Sequence, residues 1–193
     1  MRLLCLFWAQ DTAHAHGSNP IESDLNNDRK IVWCNNAKKG GLNQTMVKEA
    51  FQRWNSSLTN AGLTSLVKFV PKSQTNLPCE LTFRMALEAT WGAAWIDYWS
   101  QDPDLIYYYM GEWNKNTVDE RRFVLMHEIG HSLGFDHAPT PEYCYPQYGS
   151  VLTSWCAYHG APVPYKPGPH DMDDVRFYWG PNGVLPQTYS WEE

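Results

Sequence analysis

The sequence predicts an α+β domain: a twisted five-stranded mixed sheet, two helices packed on it, and an irregular C-terminal part that closes with a final helix. Three observations predict it. Short β-prone runs recur between residues 30 and 110, two stretches carry apolar residues at helical spacing, and seven prolines crowd residues 138–169. With 193 residues, 43% apolar and 19% charged, the chain can bury a single core and does not have a disordered composition. Lys plus Arg number 15 against 21 for Asp plus Glu, a formal net charge of -6 that does not suit a phosphate backbone, so no nucleic-acid partner is expected. No run approaches the roughly 18 apolar residues of a membrane span, so no membrane partner is expected either.

The elements follow in order. Arg2, the apolar stretch from Leu3 to Ala9 and the small-x-small sequence Ala13-His14-Ala15 read as a signal peptide over residues 1–15. Residues 16–29 are polar and read as a spacer, which leaves residues 30–193 as the folded domain. A strand is predicted over Lys30 to Cys34. A helix follows over Leu42 to Leu58, with Met46, Val47, Ala50, Phe51, Trp54 and Leu58 on one stripe, Asn43 as its cap and Gly62 as its stop. Further strands are read at Leu66 to Val70, Cys79 to Ala86, Gly92 to Trp99 and Leu105 to Met110. Asp119 to Leu133 is helical, with Phe123, Val124, Met126, Ile129 and Leu133 apolar. The last helix runs from Asp171 to Trp179 and ends at Gly180-Pro181.

Cys5 would leave with the leader, and four cysteines remain. An even number in a secreted domain suggests two disulfides. Cys144 and Cys156 are near enough in sequence to clip one loop, which would leave Cys34 with Cys79, although spacing alone leaves the other pairings open. Asn43-Gln44-Thr45 and Asn55-Ser56-Ser57 are glycan acceptors if the producer is a eukaryote.

The chemistry is concentrated in His127-Glu128-Ile129-Gly130-His131-Ser132-Leu133-Gly134-Phe135-Asp136-His137, which reads HExxHxxGxxH. Two histidines four apart on a helix share one face and can share one cation. Glu128, next to the first of them, is placed to reach a water at the metal. Gly134 can take a positive φ, so the helix stops there and the chain returns His137 as a third ligand. Three protein ligands leave one position open, which is the arrangement of a catalytic zinc and not a structural one.

From about Lys30 to Gly180 the chain resembles the metzincin clan of zinc endopeptidases, and within it the matrixins. The resemblance rests on that motif, on Ala50-Phe51-Gln52-Arg53-Trp54 in the first helix, and on the acidic-apolar, aromatic-Gly pattern of Asp171-Met172 through Tyr178-Trp179-Gly180. It implies His127, His131 and His137 as ligands of one catalytic zinc and Glu128 as general base. It further implies an extended substrate paired with the edge strand around Gly92, Ala93, Ala94 and Trp95, and a hydrophobic pocket walled by residues 148–158. Leu152, in Ser150-Val151-Leu152, stands where the clan has the methionine of the turn beneath the zinc. Ser154 stands where astacins and serralysins place a tyrosine ligand. No histidine lies between His16 and His127, so the second, structural zinc of matrixins has no ligands here. Calcium is compatible with this kinship, but no calcium motif is readable. The implied protein is a secreted, monomeric zinc endopeptidase acting on a protein or peptide substrate. Two other readings stay open at this level: a non-proteolytic zinc amidase acting on cell-wall or glycan material, and a catalytically silent zinc-containing binding module.

Overall fold

A computed structural model describes residues 28–36, 44–86, 94–97, 104–109, 114–135, 137, 149–153 and 162–181. The leader, most of the spacer, Gly92, Ala93, Cys144 and Cys156 lie outside the described residues. Among the described residues the strands and α-helices are, in order, β1 (Lys30–Asn35), α1 (Gln44–Asn60), β2 (Lys68–Pro71), β3 (Leu81–Ala86), β4 (Ala94–Asp97), β5 (Asp104–Tyr109), α2 (Val118–His131) and α3 (Pro169–Trp179), with a 3-10 turn at Lys72–Gln74 after β2. The architecture is α+β. The sheet order is β2-β1-β3-β5-β4; the first four strands run parallel, and β4 pairs antiparallel with β5 at one edge.

Helix α1 forms where its apolar stripe predicts, and that stripe holds it on the sheet. Val47, Ala50, Phe51, Trp54 and Leu58 are buried. Phe51 is the centre of the contact, stacked on Trp33 at 4.5 Å and meeting Phe69 and Phe83 at 5.1 and 5.7 Å. Burying one such side chain contributes about 1.5–3 kcal/mol. Trp54 carries the packing on to α2, where its indole N–H donates to the Met126 carbonyl at 2.9 Å. Helix α2 is buried along its second half, from Phe123 to His131. It starts on a capping box, in which Thr117 accepts from the Glu120 N–H while the Glu120 carboxylate accepts from the Thr117 N–H.

Several predicted boundaries move, some through local turns and one through partners distant in sequence. The second strand begins at Lys68 and not Leu66, because Leu63 to Val67 close turns on the Leu63 carbonyl. The third begins at Leu81 and not Cys79. Cys79 is bridged to Cys34 across a Cα separation of 5.8 Å. Glu80 backfills the ladder, its N–H donating to the Val32 carbonyl and its carboxylate accepting from the Val32 N–H, both at 2.7 Å. Helix α2 ends at His131 and not at Gly134. Bonds from Leu133 to Gly130 and from Gly134 to His131 tighten the chain into a narrower turn, and Gly134, at φ +83°, reverses it. Helix α3 starts two residues early because Pro169 supplies a preset φ at its first position.

The folded body reaches back into what the sequence reads as spacer. Arg29, at φ +61°, donates from Nη1 to the Trp179 carbonyl at 2.6 Å, tying the start of β1 to the end of α3. At the outer side of β2, the Asn55 side-chain amide accepts from the Phe69 N–H at 2.9 Å and donates to the Phe69 carbonyl at 2.8 Å.

Candidate metal centre

Helix α2 places His127 and His131 one turn apart on one face, and the reversal at Gly134 brings His137 back to meet them. Their Nε2 atoms lie 3.0 Å (127 to 131), 3.2 Å (127 to 137) and 3.2 Å (131 to 137) apart. His127 and His131 are buried and His137 is exposed, so the cluster faces solvent on one side.

The outer nitrogens decide which ones can take a cation. His127 Nδ1 lies 2.8 Å from the Val151 carbonyl, and His131 Nδ1 lies 2.7 Å from the Phe135 carbonyl. A carbonyl only accepts, so both Nδ1 atoms carry the proton and donate it. In the neutral rings both Nε2 atoms then present bare lone pairs towards each other and towards His137. Lone pairs that close repel unless a cation sits among them. Nitrogens bound tetrahedrally at about 2.0–2.1 Å would stand roughly 3.3 Å apart, near the separations found. The residues therefore fit a metal ion, and among the described residues they are the group able to hold one.

Burial tunes the neighbours of this cluster. His127 is pushed down to about 3, by desolvation first and then by His137, against the raising effect of its bond to Val151. It is thus a neutral donor at physiological pH. Glu128, adjacent in sequence and buried, is pushed up to about 8 by desolvation.

Leu152 is fully buried against the middle of the motif. A Cβ placed on Gly130 would stand 2.8 Å from Leu152 Cδ2 and 3.2 Å from Trp54 Cζ2, so Gly130 permits the close approach of α2 to the 149–153 turn. Ala94 and Trp95 fall in β4 at the sheet edge. The clip expected between Cys144 and Cys156, the Gly92-Ala93 pair and Ser154 to Tyr158 lie outside the described residues. Sequence reasoning did not foresee the carbonyls of Val151 and Phe135, because a backbone acceptor leaves no mark in residue type.

No family model and no curated protein matches the chain. In fold, 61 solved chains match it. One of them belongs to the structure described as the GM1 bound form of the ECX AB5 holotoxin, with 16% identity, a TM-score of 0.50 and 82% of each chain covered. At that identity the likeness speaks for the fold alone.

Proposed function

We propose that the chain is a zinc-dependent endopeptidase of the metzincin kind, secreted and monomeric, acting on protein or peptide substrates. The observation that carries the reading is the meeting of three imidazole nitrogens, two of them with lone pairs fixed inward by carbonyl bonds, beside a buried carboxyl on the same helix. His127, His131 and His137 would hold the ion. Zinc, when bound, supplies a Lewis acid that polarises a carbonyl and lowers the pKa of water to about 7.

Glu128 is then the proton carrier, taking a proton from the attacking water and handing it to the leaving amine. Its buried position keeps its proton affinity near neutrality, where both transfers are accessible, and a nearby positive charge shifts it towards the carboxylate. The edge position of β4 supports an extended substrate adding to the sheet along Ala94 and Trp95, with Gly92 and Ala93 just ahead. The Cys34–Cys79 disulfide supports the extracellular reading, since such bonds persist in oxidising compartments.

The test is metal analysis of the purified chain together with digestion of casein and a quenched-peptide library, with and without chelator. One zinc per chain, with cleavage abolished by chelator and restored by zinc, supports the proposal. A protein that binds zinc and cuts no peptide is a binding module or an amidase instead.

A further inference from the structure

The Nδ1–H of His127 donates to the Val151 carbonyl, so whatever fixes that carbonyl helps fix the ring. A peptide unit is planar, and the Val151 C=O shares its plane with the Leu152 N–H. That N–H donates to Ser150 Oγ at 3.0 Å. Ser150 in turn donates its hydroxyl proton to Asp171 Oδ1 at 2.6 Å. The other carboxylate oxygen, Oδ2, accepts from the Val151 N–H at 3.0 Å and from the Gly168 N–H at 2.7 Å. Asp171 thus grips the peptide units on both sides of Val151, one directly and one through Ser150. All four residues from Ser150 to Thr153 are buried, as is Asp171. The start of α3 is pressed onto this turn backbone to backbone: a Cβ on Gly168 would fall 1.9 Å from the Gly149 carbonyl oxygen.

We propose that Asp171 and Ser150 form a positioning unit for His127, with α3 setting the ring orientation and tautomer of a metal ligand on α2. The proposal rests on the metal reading above for its consequence, and on the hydrogen bonds alone for its mechanism. Second-layer partners of ligand histidines commonly change metal affinity by about 10–100-fold when removed. For His127 that partner is a backbone carbonyl, so the side chains that fix it stand one step further out.

The experiment uses the full chain and Asp171→Asn, with two measurements. The first is zinc affinity by chelator competition, and the second is the His127 Nδ1–H resonance of the metal-free protein in nitrogen-15 spectra. Expected are zinc binding weaker by about 10–100-fold and loss of the protected Nδ1–H signal. A purely structural Asp171 would lower the melting temperature but leave the affinity and the resonance unchanged, and that result overturns the proposal. If wild type binds no zinc yet its Nδ1–H signal disappears in the variant, the metal reading falls and the positioning unit stands. Should Asp171→Asn not fold, Ser150→Ala decides. It removes one hydrogen bond and is expected to weaken zinc binding about two- to tenfold and to broaden or shift the same resonance. No change in either measurement overturns the proposal.

Discussion

His127 and Glu128 are neighbours in sequence, and burial pushes them in opposite directions. The histidine becomes a weak base that stays neutral, and the carboxyl becomes a weak acid that exchanges its proton near pH 8. Glu128→Ala should therefore leave zinc bound and the fold intact while lowering peptide hydrolysis by about two to four decades, read from single-turnover rates beside metal content. Asp171 makes a second prediction through pH. Burial, opposed by its bonds to Ser150, Gly168 and Val151, raises it from 3.8 to about 7. A carboxyl that binds its proton more tightly when folded stabilises the fold below its unfolded pKa, and that stability is lost as pH rises through the folded value. Between about pH 4 and 7 the metal-free protein should lose on the order of 4 kcal/mol through this group. His127, pushed down from 6.5 to about 3, acts the other way over most of that window, and Glu128, raised to about 8, acts in the same direction as Asp171. The difference between wild type and Asp171→Asn, followed as melting temperature against pH, isolates the carboxyl, and parallel curves would refute the assignment. At this scale the meeting of the three histidines was legible because residue type and spacing encode it. The carbonyls that orient them were not, since any residue at 135 or 151 supplies one.

Helices were the most legible elements, because Phe51 and Trp54, or Phe123 and Met126, repeat an apolar contact one turn apart and need no distant partner to declare themselves. Strand limits were less so: Lys68 and Leu81 begin their strands where hydrogen bonds from β1 and Glu80 allow, which no local pattern records. The sequon at Asn55 shows the same limit. Its tripeptide reads as a glycan acceptor, but in the fold its amide is already engaged at both ends by Phe69. Between elements, the contact of α2 with the 149–153 turn depends on the bare backbone of Gly130. Gly130→Ala should destabilise by about 1–3 kcal/mol through overpacking, partly offset by the roughly 1 kcal/mol better helix propensity of alanine. Combining it with Leu152→Ala should cost less than the sum of the two single changes, because the new methyl fills part of the cavity. Strict additivity in chemical denaturation would show that the two residues do not meet.

At the scale of the whole molecule, strand order could not be read from the chain, because the parallel pairs β1–β2 and β1–β3 join segments separated by a helix or a long loop. The Cys34–Cys79 bond holds two of those segments together across 45 residues. Loop-closure entropy for that span is worth about 4 kcal/mol, so a Cys34→Ser/Cys79→Ser variant should melt well below wild type while a folded fraction still binds metal, as calorimetry with and without zinc would show. The sheet has two ends, and they are not equivalent. Phe69 would leave an unpaired N–H and carbonyl on the outer rim of β2, the kind of template on which a second chain can grow by strand addition. The Asn55 amide occupies both groups from within the same molecule, standing in for one residue of a missing sixth strand. An Asn55→Ala chain should keep its core and its histidines but expose both Phe69 groups, so its light scattering should rise with concentration faster than that of wild type.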